Sequence, residues 1–276
     1  MVEMAGLTDV GRKRSTNEDS IAMLPEMGLA VLADGMGGHN AGEVASGMAV
    51  AMISHELRPF FAARSGNALG ETEVRQLLTG LAAKVNTAIY NTAQSQPRYF
   101  GMGTTLVIAL WHGEQLTVAH LGDSRLYRLR GDRYEQLTRD HSWRQEQIDS
   151  GLVTPEQART TGAKNIVTRA CGIEPAVEPE VHTHPSQADD LYLLCSDGLS
   201  EMVADDAVRH LFTVAAGLSR GARASVIAAF ALPKNEPPDG VAEGTACVAR
   251  AGNSAPYCKA RESETSSTGT PRAFNA

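Results

Sequence analysis

Three apolar segments of the chain each lead into an aspartate, and this repeated pattern points to a cation site. Asp34 and Gly35 follow the apolar run 29–33, while Asp123 and Asp197 follow two later runs. A carboxylate supplies a hard oxygen ligand, and a glycine lets a backbone carbonyl approach the same ion. A single Asp-Gly pair at a strand end is more typical of an ordinary turn. The repetition of the pattern is therefore what favours a metal site.

A fourth acidic cluster lies near the N-terminus, where Glu18 and Asp19 follow Arg14 closely. Aspartates that meet at strand ends repel one another by about 4 kcal/mol per pair, at about 4 Å and an effective dielectric constant of about 20. Either their pKa values rise or a cation compensates the charge. Carboxylates, a carbonyl and water suit Mg²⁺ or Mn²⁺, whereas zinc prefers Cys and His ligands.

Strands and helices must bring these residues together. The apolar runs before the aspartates are predicted to be buried strands. Apolar residues at helical spacing predict two helices, from Ala41 to about Ala63 and from Thr72 to about Thr92, and 223–232 is also predicted to be helical. Short glycine-containing turns separate further strand-like runs, and strands joined in this way form antiparallel hairpins. These runs are 106–111, 116–121, 125–129 and 134–137.

The bulk composition is that of an ordinary globular protein. Of the 276 residues, 42% are hydrophobic and 21% are charged, as is usual for globular domains. A net charge of −7 argues against non-specific binding to nucleic acid. Four cysteines without C-x-x-C spacing predict a reduced, cytoplasmic chain. We expect no membrane span, because no apolar run reaches about 18 residues, and residues 1–9 lack the apolar core of a signal peptide.

Seven short motifs occur in order along the chain. They are Arg14-x-x-Asn17-Glu18-Asp19, Ala33-Asp34-Gly35-Met36-Gly37-Gly38-His39, Ala41-Gly42-Glu43-Val44-Ala45-Ser46, Gly103-Thr104-Thr105, His120-Leu121-Gly122-Asp123-Ser124-Arg125, Leu137-Thr138-Arg139-Asp140-His141-Ser142 and Ser196-Asp197-Gly198-Leu199. Any one of them would be weak, but seven in order are highly specific. Over roughly residues 5–212 the chain therefore resembles the metal-dependent protein phosphatases of the type-2C kind, in their short, stand-alone bacterial form.

The resemblance implies an α+β fold. The expected architecture is a four-layer α-β-β-α sandwich, in which two antiparallel β-sheets pack face to face and are flanked by helix pairs. The phosphatase domain is expected to cover residues 5–232, with a flap at about 140–170 beside the active site. The remaining residues, 233–276, have the composition of a disordered tail.

The resemblance also implies a centre of two Mn²⁺ or Mg²⁺ ions. Asp34 is expected to bridge the ions, and Gly35 to lend its carbonyl oxygen to one of them. Asp197 is expected to hold one ion directly, and Asp19 to act through a metal-bound water. Asp123 is expected to help hold a third, weaker ion, as in bacterial relatives.

The implied activity is that of a protein serine/threonine phosphatase, a hydrolase that opposes a bacterial Ser/Thr kinase. A hydroxide that bridges the two ions would attack phosphorus in line, without a phospho-enzyme intermediate. Arg14 is expected to bind the phosphate, because its planar guanidinium matches two oxygens at once; taken alone, it would be an ordinary surface arginine. His39 is one hypothesis for the general acid, since Met36 stands where many eukaryotic relatives have histidine. The alternative is that His39 orders its loop or bonds an outer water.

The C-terminal region departs from the family pattern. Family members end in a glycine-rich turn, an Asp-Asn pair and a strand, but no such motif follows Phe212. Asp239 is the one aspartate after Asp206, and hence the sole candidate for the missing ligand. Divergence or a change of reading frame would explain the difference.

Two other functions stay open beside the phosphatase. One is a catalytically impaired pseudophosphatase that binds phosphoproteins or regulates a kinase, and the other is a small-molecule phosphohydrolase. The expected partners are phosphorylated proteins, substrates of a bacterial Ser/Thr kinase, and neither nucleic acid nor a membrane. The chain is expected to be monomeric.

Overall fold

Two β-sheets packed against each other form the centre of the protein, and helices cover the outer face of each sheet. The structure, a computed structural model, describes residues 2–10, 16–38, 41–63, 69–160, 166–218 and 225–227. Three residues of the sequence-based site, Arg14, His39 and Asp239, lie outside these ranges.

Groups of consecutive strands are separated by pairs of helices along the chain. The strands are β1 (Glu3–Ala5), β2 (Asp19–Leu24), β3 (Leu29–Met36), β4 (Gly103–Thr104), β5 (Leu106–His112), β6 (Gln115–Leu121), β7 (Arg125–Arg130), β8 (Arg133–Gln136), β9 (Glu180–Pro185), β10 (Leu191–Cys195) and β11 (Ser225–Ile227). The helices are α1 (Ala41–Ala62), α2 (Glu71–Ser95), α3 (Trp143–Asp149), α4 (Pro155–Thr160), α5 (Asp197–Ser200) and α6 (Asp205–Leu218). The first sheet has the order β2-β3-β5-β6-β9, with β4 paired to β3, and the second has the order β1-β11-β10-β7-β8.

Side chains of the first sheet alternate between its two covered faces. In β3, Leu29, Val31 and Ala33 pack with residues of α1 and α2. Ala30 and Leu32 pack on the opposite face, in a cluster that includes residues of the second sheet. Because both faces are buried, residues 29–33 of β3 form a continuous apolar run without polar alternation.

The second sheet is covered in the same way. In β10, Leu193 packs with Phe212 of α6 on the outer face. Tyr192 points to the first sheet, where its ring lies 5.3 Å from that of Trp111. Leu199 of α5 joins the outer cluster. The four layers of the predicted sandwich are therefore confirmed: α1 and α2, the first sheet, the second sheet, and α5 with α6.

The predicted central elements are confirmed as well. α1 and α2 cover the two predicted amphipathic segments. β5 pairs with β6, and β7 with β8, as antiparallel hairpins. β6 and β7 belong to different sheets, so the turn 122–124 carries the chain from one sheet to the other.

One sequence prediction is wrong within the described residues. The segment 223–232 was predicted to be helical, but Ser225–Ile227 form β11, which runs parallel to β1 and to β10. Val226 and Ile227 are β-branched and favour a strand. Pairing on both sides also satisfies backbone groups that would otherwise form exposed sheet edges. The other strand pairs of both sheets are antiparallel.

The segment 140–170 leaves the sandwich and returns to it at nearly the same point. Its two ends are joined by a β-bridge between Ser142 and Val167. Inside it, Ser142 caps α3, while Thr154 and Gln157 exchange side-chain to backbone hydrogen bonds of 2.8 and 3.2 Å at the start of α4. This reciprocal pair is a capping box. None of the helices in the described ranges combines the length and the hydropathy needed to cross a bilayer.

Candidate metal centre

The first two predicted ligands face each other across neighbouring strands. Asp19 opens β2 and lies directly opposite Asp34 in the antiparallel register with β3. Opposite residues in such a pair point to the same face, with Cβ atoms about 5 Å apart. The register of β2 and β3 therefore brings two carboxylates together at one end of the first sheet.

Threonines from β4 and the residue after it hold the backbone of Asp34 in place. Thr105 donates its N–H to the Asp34 carbonyl at 2.9 Å, and its Oγ1 accepts the Asp34 N–H at 2.9 Å. Thr104 Oγ1 also donates to the Asp34 carbonyl, at 3.0 Å. Thr105 Oγ1 lies 2.7 Å from the Oγ of Ser124, the residue after Asp123. The same threonine thus connects the Asp34 strand to the Asp123 turn.

The position of Gly35 has no room for a side chain. A Cβ built on Gly35 would lie 2.0 Å from the carbonyl oxygen of Gly42 and 2.7 Å from that of Glu18. The Gly35 N–H donates to the same Glu18 oxygen at 2.9 Å. Three backbones meet here, from the ends of β3, β2 and α1. The sequence predicted a role for the Gly35 carbonyl, and the packing gives a second reason for glycine at this position.

Asp197 reaches the site from the second sheet. It follows β10 and is the first residue of α5. Its neighbour Ser196 donates an Oγ–H to Oδ2 of Asp19 at 3.0 Å. This bond brings the end of β10 to the start of β2, and so places Asp197 near the carboxylates of the first sheet.

Asp123 lies in the turn that crosses between the sheets. Gly122 has a φ of +99°, which a side chain disfavours, and an added Cβ would lie 2.6 Å from Thr105 Cγ2. On the other side of the turn, Arg125 forms a two-pronged ion pair with Asp140, with N···O distances of 2.9 and 2.6 Å. Gly122 and Arg125 therefore anchor the two ends of the turn that carries Asp123.

These residues fit a hard divalent cation. Asp34, Asp123 and Asp197 are each no more than 8% exposed, and carboxylates gathered in a buried region need a compensating positive charge. The candidate ligand atoms of this group are carboxylate oxygens and the carbonyl oxygen of Gly35, without thiol or imidazole. Such a set suits Mg²⁺ or Mn²⁺ better than zinc.

A second titratable cluster lies beside the Asp123 turn. His120, His141 and Glu180 each place one potential ligand atom within 4.8 Å of the others, and the two imidazole rings stack with centroids 4.7 Å apart. His120 Nε2 donates to the Arg139 carbonyl at 2.8 Å.

Hydrogen bonds argue against an ion in this second cluster. His141 Nδ1 accepts the Gly122 N–H at 3.2 Å, so the proton of the neutral ring is on Nε2, which donates to Glu180 Oε2 at 3.2 Å. A metal on Nε2 would move that proton to Nδ1, directly against the Gly122 N–H. Burial, followed by the neighbouring His120, lowers the pKa of His141 to about 4, so the ring is neutral at pH 7. The cluster is a hydrogen-bonded network.

Sequence reasoning missed the residues that support the carboxylates. Thr105, Ser124 and Ser196 lie within the recognised motifs, but no role was predicted for them. Ser124 and Ser196 are each next to an aspartate, which is a local signal that could have identified them, whereas Thr105 lies 71 residues from Asp34 and gave no such signal. Arg14 and His39, the two predicted catalytic residues, stay predictions because they lie outside the described part of the chain.

Comparisons with known proteins agree with this fold. The family profile described as Protein phosphatase 2C matches residues 11–230. The serine/threonine phosphatase stp of Listeria innocua is 39% identical over 207 residues, which cover 74% of this chain and 80% of that protein. The solved S. agalactiae serine/threonine phosphatase has a TM-score of 0.67 at 35% identity, covering 75% of this chain and 84% of that chain. The catalytic domain of the phosphatase PstP, solved in complex with two manganese ions, has a TM-score of 0.63 at 37% identity, covering 74% of this chain and 80% of that chain.

Proposed function

Because the chain belongs to the protein phosphatase 2C family, we propose that it hydrolyses phosphoserine and phosphothreonine in proteins, with two Mn²⁺ or Mg²⁺ ions as cofactors. The observation that carries this proposal is the meeting of Asp19 and Asp34 with the end of β10, through the Ser196–Asp19 hydrogen bond. Relatives at 36% and 39% identity are named protein phosphatases. The PstP complex holds manganese.

The proposed ligands are the carboxylates described above. Asp34 would lie between the two ions, with the Gly35 carbonyl and Asp197 as further direct ligands. Asp19 would act through an ordered water, and Asp123 would help hold a third, weaker ion. When bound, two such cations lower the pKa of a water that they share, so that hydroxide is available near neutral pH to attack phosphorus.

The protein's own residues would supply orientation and charge. Thr105 and Ser196 fix the Asp34 backbone and the Asp19 carboxylate, so that little reorganisation is needed during the reaction. Arg14 would bind two phosphate oxygens through its planar guanidinium. His39 would either give a proton to the leaving alkoxide or order the loop that follows Asp34.

The substrates that we propose are proteins phosphorylated by a bacterial Ser/Thr kinase, which would give this protein a role in signal transduction. We also propose that it acts as a monomer. We further propose that residues 5–232 form the phosphatase domain, that the segment 140–170 is a flap beside the site, and that 233–276 form a tail. A reducing, cytoplasmic location is supported by Cys171 and Cys195, which are both free thiols.

Hydrolysis of a phosphothreonine peptide during Mn²⁺ titration tests the proposal. We expect turnover that depends on Mn²⁺ and is lost in Asp34→Asn, which keeps the size of the side chain and removes its charge. Asp132→Asn makes the same change at an exposed turn residue and should leave turnover unchanged. Folded protein without turnover at millimolar Mn²⁺ would contradict the proposal. Faster hydrolysis of a nucleoside monophosphate than of the peptide would instead favour a small-molecule phosphohydrolase.

A further inference from the structure

Two consecutive residues, Asp140 and His141, form hydrogen bonds to the two ends of the Asp123 turn. Asp140 pairs with Arg125, which follows the turn, through three hydrogen bonds of 2.6 to 3.1 Å. His141 bonds Gly122, which precedes Asp123, on both of its backbone groups. The His141 N–H donates to the Gly122 carbonyl at 2.9 Å, and its ring Nδ1 accepts the Gly122 N–H at 3.2 Å.

Glu180 holds the His141 ring in the tautomer that this contact needs. Glu180 Oε2 accepts the Nε2–H of His141 at 3.2 Å, which leaves a lone pair on Nδ1 for the Gly122 N–H. The other oxygen, Oε1, lies 2.6 Å from Nε2 of His182. Although burial acts to raise it, the hydrogen bonds from His182 and His141 lower the pKa of Glu180. The carboxylate is therefore charged and accepts both bonds at neutral pH.

Thr105 and His141 both lie against the Asp123 turn. A Cβ added to Gly122 would lie 2.6 Å from Thr105 Cγ2, and Thr105 Oγ1 lies 2.7 Å from Ser124 Oγ. His141 bonds both backbone groups of Gly122, and its carbonyl accepts the N–H of Thr168 at 2.9 Å. Because Thr168 belongs to the returning end of the segment 140–170, His141 connects that end of the segment to the Asp123 turn.

We propose that His141, oriented by Glu180, is a positioning residue that fixes the Asp123 carboxylate for binding of the weaker metal ion. His141 does this through Gly122 and does not itself touch the ion. This role rests on the proposed function, since it assumes that Asp123 is a metal ligand. Partners that orient ligands in this way commonly change metal affinity by about 10- to 100-fold when removed.

Calorimetric titration of Mn²⁺ into the protein, without substrate, tests the proposal. In His141→Leu, which removes the acceptor, we expect the weakest binding step to weaken by about 10- to 100-fold, with the tighter steps unchanged. His141→Asn keeps an oxygen acceptor close to the position of Nδ1, and should bind much closer to wild type. KM for a phosphothreonine peptide should stay within about twofold in both variants, since His141 does not lie in the proposed phosphate site.

Variants of the partners of His141 separate positioning from simple packing. Glu180→Gln still offers an oxygen to His141 and should bind Mn²⁺ like wild type, whereas Glu180→Leu should weaken the same step as His141→Leu. His182→Leu removes only the bond to the other oxygen of Glu180, and serves as the matched control with unchanged affinity. Circular dichroism confirms that each variant is folded.

Two results would overturn this role of His141 and leave the proposed function standing. One is wild-type affinity at the weakest step in folded His141→Leu, and the other is equal weakening in His141→Asn and His141→Leu. Wild-type protein that binds no Mn²⁺ at all would overturn the proposed function, and this role of His141 with it.

Discussion

Ser196 donates a 3.0 Å hydrogen bond from its hydroxyl to Oδ2 of Asp19. The bond joins the end of β10, in the second sheet, to the start of β2, in the first. It therefore links the two halves of the candidate metal centre. The Ser196 side chain is buried at this position.

Ser196→Ala should weaken both the fold and the centre. A hydrogen bond to a charged group contributes about 1.5–3 kcal/mol, so we expect the free energy of unfolding without metal to fall by about that amount. The apparent Mn²⁺ affinity should fall as well, because Asp19 loses its fixed orientation. Urea denaturation and Mn²⁺ titration measure the two effects. The control is Ser95→Ala, since Ser95 is exposed and its hydroxyl bonds to Thr92 within α2; it should change neither the free energy of unfolding nor the Mn²⁺ affinity. A Ser196→Ala variant with both quantities unchanged would contradict this account.

Gly35→Ala should destabilise the fold strongly, although it adds only one methyl group. The added Cβ would lie 2.0 Å from the Gly42 carbonyl, so the end of β3 must move away from α1. We expect a loss of about 1–3 kcal/mol or more in the free energy of unfolding, together with loss of Mn²⁺-dependent turnover.

Gly80→Ala is the matched control for this change. Gly80 lies within α2, and an added Cβ there meets no atom within 4 Å. The same substitution should stabilise the helix by about 1 kcal/mol. Equal effects of the two substitutions in urea denaturation would show that the close approach at Gly35 is unimportant.

Loss of the ion pair between Arg125 and Asp140 should be strongly destabilising. The carboxylate of Asp140 is 5% exposed and the Arg125 side chain 19%, so Asp140→Ala leaves a guanidinium charge mostly buried. Breaking such a pair typically costs about 3–5 kcal/mol. Asp149→Ala breaks the neighbouring pair with Arg139, whose side chain is 59% exposed, and should cost less than about 1 kcal/mol. Similar unfolding midpoints for the two variants would refute this difference.

His141 should make the stability of the fold depend on pH. Its pKa is about 4 in the folded protein and about 6.5 when unfolded, so between these values the unfolded chain binds more protons. The contribution is therefore complete above about pH 6.5 and is lost as the pH falls to about 4, by at most about 3 kcal/mol. The difference in unfolding free energy between wild type and His141→Asn should shrink over this window. A constant difference from pH 7 to pH 4.5 would count against the buried, neutral ring.

Much of the fold follows from local patterns. The helical spacing of apolar residues predicted α1 and α2, because these helices bury only one face. The glycine turns predicted the hairpins, because two strands joined by so short a turn must be antiparallel neighbours. β11 escaped prediction, because its residues 225–227 are too few for periodicity and take their conformation from pairing with β1 and β10.

The sequence by itself determined the chemistry of this protein. Its aspartates at strand ends and seven ordered motifs indicated a carboxylate metal centre and a family, because those signals are local in the chain. Only the tertiary structure decided how the centre is held. Ser196 and Asp19 are 177 residues apart, Thr105 and Asp34 are 71 apart, and His141 and Gly122 are 19 apart. Hydrogen bonds between such distant residues depend on sheet register and sheet packing, which no local pattern specifies.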